Sequence, residues 1–171
     1  MAQDRLKIHE RPNMQAPRMI LGFSGWMDGG GVSTGTIDYL RRKLDARLLA
    51  EIDCEDFYIL NFPGSMEISA MIRPHTKIED GLITTFRGPD NRFFYSGAHN
   101  LILFVGREPN LKWSEFGDCI FSLASQFNVS MIYFIGSVAG LVPHTRQPRL
   151  SASVSDESLK PTLEAAGVRF S

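Results

Sequence analysis

"GFSGWMDGGGVSTGTIDYL", residues 22–40, is the stretch on which the fold turns. It follows directly on the apolar run "RMILGFSG" (18–25) and passes through a glycine cluster into helical spacing. Val32, Thr36, Leu40 and Leu44 fall four apart with Ile37 beside them, which predicts a helix over about Gly29–Leu44. Asp28 stands where an N-cap is needed, its carboxylate able to accept from the Gly30 and Gly31 amides. A strand, a glycine turn and a helix in that order predict an α/β unit.

Working outward, "NLILFVG" (100–106) and "MIYFIGSVAG" (131–140) repeat the uninterrupted apolar character of 18–25. Runs that do not alternate belong to strands covered on both faces. These three are therefore expected as neighbouring, mostly parallel, shielded strands, with "LLAEID" (48–53) as a fourth in the same sheet. Phe116, Ile120, Leu123 and Phe127 carry helical spacing within Trp113–Phe127. "SDESLKPTLEAAG" (155–167) has Ser155 or Asp156 as cap and Gly167 as terminator; with Pro161 inside it, either its first turn is irregular or the helix begins only there. "KIEDGLITTF" (77–86) and "RFFYSG" (92–97) flank "RGPDN" and read as an antiparallel hairpin. Three consecutive aromatics there, Phe93, Phe94 and Tyr95, are expected to leave at least one ring exposed for self-association. The expected fold is a single α/β domain over 1–171, a mainly parallel sheet with flanking helices and a β-hairpin excursion.

A chain of 171 residues, 43% hydrophobic and 22% charged, can bury a proper core. Its net charge of −1 speaks against a general nucleic-acid binder. The basic run Arg41–Lys43 closes a helix, where cations favour the dipole. Cys54 and Cys119 match no zinc or redox spacing, which fits a reducing compartment. The N-terminus lacks signal-peptide character and no apolar run approaches bilayer length, so a cytoplasmic protein without membrane partners is expected. The chain stops on "VRFS", just past a helix terminator, as though at the start of another strand.

Ligands of parallel sheets bind beyond the strand C-termini. Three loops leave those ends, "GWMDGGGVST", "GREPN" and "GLVPHTRQP". They offer Asp28, the amides of Gly29, Gly30 and Gly31, then Arg107 and Glu108, and the trio His144, Thr145 and Arg146, as residues that could converge in a candidate pocket. The glycine loop has two readings: a structural turn with an N-cap, or an anion site on free helix-start amides. It is neither a Walker loop, since Val32 follows the last glycine, nor G-x-G-x-x-G. His144 and Arg146 also have two readings, acid/base chemistry with anion binding or an Arg146–Glu108 pair that pins two loops. "GFSGW" lacks the final glycine of a nucleophile elbow. No histidine pair has i, i+4 spacing, and neither a metal nor a cofactor is expected.

"GFSGWMDGGGVSTGTIDYLRRKL", "AEIDCEDFYIL", "GREPNLKW" and "VPHTRQP", in that order and spacing, resemble the proteasome assembly chaperone 2 family in its bacterial and archaeal branch. The resemblance runs from about Leu6 onward; the last motif is the most telling and the glycine loop the least. It implies a phosphorylase/hydrolase-like α/β fold, a cytoplasmic homo-oligomer and action through protein–protein interaction. It also implies a longer chain, of which this would be the N-terminal part. Nothing here resembles the C-terminal tail by which some archaeal relatives engage the proteasome. Some bacterial relatives carry enzyme names such as carboxylate–amine ligase. The alternative is accordingly a small-molecule enzyme or ligand binder, with Arg146 and the Gly29–Gly31 amides holding an anion and Glu108 or His144 as acid/base.

Overall fold

The structure, a computed structural model, describes residues 2–170 other than Phe62, Val142 and His144. It forms two compact units, Met1–Val138 and Ala139–Ser171. In the first, the elements run α1 (Ala2–Arg5), β1 (Leu6–Ile8), β2 (Arg18–Ser24), a 3-10 turn (Gly29–Gly31), α2 (Val32–Lys43), β3 (Arg47–Ile52), α3 (Met66–Ile72), β4 (His75–Glu79), β5 (Leu82–Arg87), β6 (Arg92–Ser96), β7 (Leu101–Arg107), α4 (Trp113–Gln126) and β8 (Met131–Ile135).

Six strands make one sheet in the order β1-β3-β6-β7-β2-β8. Strands β7, β2 and β8 are mutually parallel, as their apolar runs predict. β6 is antiparallel to both of its neighbours, and β1 is antiparallel to β3. Four strands, β3, β7, β2 and β8, thus share one direction and β6 and β1 oppose it, so the α/β fold has a mainly parallel sheet. "LLAEID" takes its expected place as β3.

Strand alternation sends side chains to two helical layers. Met19, Leu21, Phe23, Phe93, Ile102 and Phe104 pack with Phe116, Ile120 and Leu123 of α4. Phe94 and Leu103 point the other way, onto Ile37 of α2. Phe23, Phe104 and Phe116 form a ring cluster, with Phe23 and Phe104 centroids 5.2 Å apart. The helix after β2 buries Ser33 and Ile37 and leaves Val32 exposed, so its inner face is turned from the one the Val32–Thr36 spacing suggests. Gly22 is why: a Cβ there would lie 2.5 Å from Ile37 Cγ1 and 2.9 Å from the Ser33 carbonyl oxygen. The glycine admits Ser33 and Ile37 to the sheet.

Three expectations are corrected. The hairpin is β4–β5, turning at Asp80–Gly81 with positive φ at both residues, while "RFFYS" becomes an interior strand. The "RGPDN" signal therefore marks a connection between sheets and not the hairpin turn. Phe93, Phe94 and Tyr95 are accordingly 0%, 7% and 9% exposed, because helices cover both faces of β6. And β8, though parallel to β2, is an edge strand whose Tyr133 and Phe134 stand 40% and 53% exposed.

In the second unit, β9 (Ser151–Ala152) pairs in parallel with β10 (Arg169–Phe170), so the terminal "VRF" does enter a strand. A 3-10 turn (Glu157–Leu159) leads into α5 (Lys160–Ala165), with Pro161 in the first turn. Asp156 caps this start by accepting from the Ser158 amide at 2.8 Å.

Candidate functional site

The C-terminal ends of β2 and β7 deliver the glycine loop and Glu108 to one place. Glu108 accepts from the Trp26 amide at 2.9 Å and the Met27 amide at 3.2 Å. Gly25, with φ +142°, lies flush against that carboxylate; a Cβ would come within 2.5 Å of Glu108 Oε2. The loop does hold an anion on its backbone amides, and that anion is the protein's own side chain.

Asp28 caps α2 by a longer reach than its position suggests. Its carboxylate accepts from the Thr34 amide at 3.1 Å and the Thr34 hydroxyl at 2.7 Å, not from the Gly30 and Gly31 amides. Gly31 stands at the N-cap position in left-handed conformation, so Thr34 is the third helical residue and its amide is one of the orphan donors. The Gly31 amide donates to the Asp28 carbonyl at 2.9 Å, and the Gly29 amide to the Ser137 carbonyl at 3.0 Å. Ser137 returns its amide to Met27 and its hydroxyl to Gly29, stitching the loop to the segment after β8. Ser33 Oγ adds a third tie, donating to the Ile135 carbonyl at 2.6 Å and accepting from the Phe23 amide. These bonds commit the amides of Trp26, Met27, Asp28, Gly29 and Gly31 to the loop's own closure.

Thr145 and Arg146 belong to the second unit, where the Arg146 amide donates to the Pro143 carbonyl at 3.0 Å. His144 lies outside the described residues. The structure therefore unites Asp28, Gly29, Gly30, Gly31 and Glu108 around one loop, and the site can be built only within the first unit.

Neither described cysteine is poised as a nucleophile. Burial, assisted by Asp90 and Asp53, pushes the Cys54 thiol up to about 11, and burial also raises Cys119. Cys54 Sγ instead lies 3.1 Å from the Pro89 carbonyl and receives the Asn91 amide group at 3.2 Å.

Sequence reasoning missed a cleft of about 480 Å³ at the C-terminal ends of β2 and β7, on the α2 face of the sheet. Ser24, Thr34 and Arg107 form part of its floor, and Arg41, Arg73 and Arg87 approach from α2, the α3–β4 connection and the end of β5. Arg107 is fixed at the backbone: its amide donates to Asn91 Oδ1 at 3.1 Å and its carbonyl accepts from Tyr58 at 2.7 Å. Arg107 belongs to the "GREPN" stretch, but Arg41, Arg73 and Arg87 are scattered along the chain and show no motif. Only the fold collects them.

A model of the PAC2 family matches residues 22–170. No curated protein matches the chain. Among solved structures, a PAC2 family protein from Streptomyces avermitilis is similar at 25% identity and TM-score 0.68, covering 86% of this chain and 61% of that one. A proteasome-assembly chaperone homologue from Mycobacterium tuberculosis is similar at 25% identity and TM-score 0.71, covering 84% and 59%. PbaB of Pyrococcus furiosus, an archaeal proteasome activator, shares the fold at 19% identity and TM-score 0.61, covering 97% and 65%. The chain thus spans about three fifths of the length of these relatives.

Proposed function

Because the chain belongs to the PAC2 family, we propose that it acts as a proteasome-assembly-chaperone-like protein, through protein–protein contact and self-association in the cytoplasm. The observation that carries this reading is the β4–β5 hairpin. It is a separate two-stranded sheet whose Ile78, Leu82, Ile83 and Phe86 are 63–70% exposed. A lone two-stranded ribbon is marginal in water, and so much apolar surface on it is the mark of a docking element. The likeness to a chaperone homologue supports the same reading. So does the glycine loop, whose Trp26, Met27, Asp28, Gly29 and Gly31 amides serve its own closure.

The test is a binding titration of the protein against purified proteasome α-subunits of its own organism, followed by sedimentation velocity. A co-sedimenting complex that is lost in the Leu82→Ser/Phe86→Ser variant is expected. Independent sedimentation of the two components at micromolar concentration would overturn the proposal.

A further inference from the structure

We propose that the arginine cleft beyond the ends of β2 and β7 binds a small multivalent oxyanion, phosphate or carboxylate in chemistry. This goes beyond the chaperone reading and stands on separate observations.

The first is charge. In a chain of net charge −1, this one cleft gathers Arg41, Arg73, Arg87, Arg92 and Arg107 against Asp38 and Asp90. Arg92 is neutralised, 2.8 Å from Asp90 and 3.1 Å from Glu51. Arg41 has Asp38 at 3.5 Å. Among the described residues, Arg73 reaches the neutral Asn61, at 3.3 Å, and no carboxylate. Arg87 and Arg107 have no side-chain partner among the described residues. Among the described residues the guanidinium groups of Arg73, Arg87 and Arg107 thus line one cleft without an ion-pair partner, and an anion between them would relieve their mutual repulsion.

The second observation is an unmet donor. Arg41 Nε is buried and has no aligned hydrogen-bond acceptor among the described residues; the Asp38 contact is an ion pair by distance alone. The Arg41 guanidinium is held over the Phe94 ring at 5.0 Å, so packing as well as the Asp38 ion pair sets its position. A buried donor left without an acceptor costs stability, so Arg41 is kept at the cleft wall at a cost.

The third is place and size. The cleft opens beyond the carboxyl ends of two parallel strands, where such sheets take ligands. Its volume of about 480 Å³ suits a small molecule. Guanidinium forks match both phosphate and carboxylate oxygens, so either anion could be held by the arginines.

The experiment is isothermal titration of the full chain, at neutral pH and constant ionic strength, with pyrophosphate in one arm and citrate in the other. Saturable binding in either arm is expected, and the stronger arm identifies the ligand chemistry. Arg107→Gln and Arg87→Gln should each weaken it at least tenfold. Arg169→Gln, in the second unit, should leave it unchanged. Arg87 lies at the exposed end of β5, so its variant folds irrespective of the floor, and melting curves without ligand should coincide with wild type. No saturable heat in both arms, or equal affinity in wild type and both cleft variants, would overturn the proposal. Neither result bears on whether the hairpin binds protein.

Discussion

Strands β5 and β6 are separated by four residues, and both carry bulky apolar side chains, yet they meet opposite environments. β6 lies between β3 and β7 with a helical layer over each face, and Phe93 rests on Phe104 with ring centroids 4.6 Å apart. β5 pairs only with β4, and its Leu82, Ile83 and Phe86 face solvent. Apolar composition alone does not bury a strand. Neighbours on both edges and both faces do, and those are supplied by segments distant in sequence. Where they are not supplied, the same composition becomes a surface for another chain.

The contrast should be largest in stability. Phe93→Ala empties a space enclosed on all sides and is expected to cost about 3–5 kcal/mol by urea denaturation. Phe86→Ala removes a ring from water and should stay within about 0.5 kcal/mol. Comparable losses at the two positions would erase the distinction between core strand and docking ribbon.

A second, smaller effect tests how the covered half of the sheet is closed. Gly22→Ala forces a methyl group onto Ile37 and the Ser33 carbonyl, an overpacking expected to cost about 1–3 kcal/mol. A melting temperature equal to wild type would show that α2 can stand off from β2 freely.

Much of the covered half was legible in the sequence for a physical reason. Residues 18–24 and 101–107 lack alternation because parallel strands flanked by helices have little use for it. The edge position of β8 was not legible, since apolar character does not reveal how many neighbours a strand has. The hairpin was misplaced because "RGPDN" outweighed the single Asp80–Gly81 pair, although that pair is a strong two-residue turn signal. At the candidate site, the convergence of Asp28 and Glu108 on the glycine loop followed from strand direction. The carboxylate's true partners, Trp26 and Met27, did not, because backbone amides carry no mark in the sequence. The arginine cleft was invisible for the same reason that β6 was misread: its walls come from segments brought together only by the sheet order.

Smaller again is the cap. Asp28→Ala should cost about 1 kcal/mol, and the loss should largely vanish in a Thr34→Val background if the hydroxyl at 2.7 Å carries much of it. Full additivity of the two substitutions would show that the Thr34 backbone amide, and not its hydroxyl, carries the cap. A separate effect appears with pH. The Cys54 thiol is raised from 9.0 to about 11 in the folded chain. The folded state therefore holds its proton after the unfolded state has lost it, so stability is intact below about pH 9 and falls as pH rises towards 11. Urea midpoints across that window should decline less steeply in Cys54→Ala than in wild type, and identical slopes would remove burial of the thiol as the cause.

The exposed hairpin as a self-docking surface is tested most directly by molar mass in solution, from light scattering across a concentration series of wild type and the Leu82→Ser/Phe86→Ser variant. The account predicts a mass that rises above the monomer for wild type and stays at the monomer for the variant, with unchanged circular dichroism. A wild-type chain that remains monomeric at the highest concentration, or a variant that associates equally well, would contradict it.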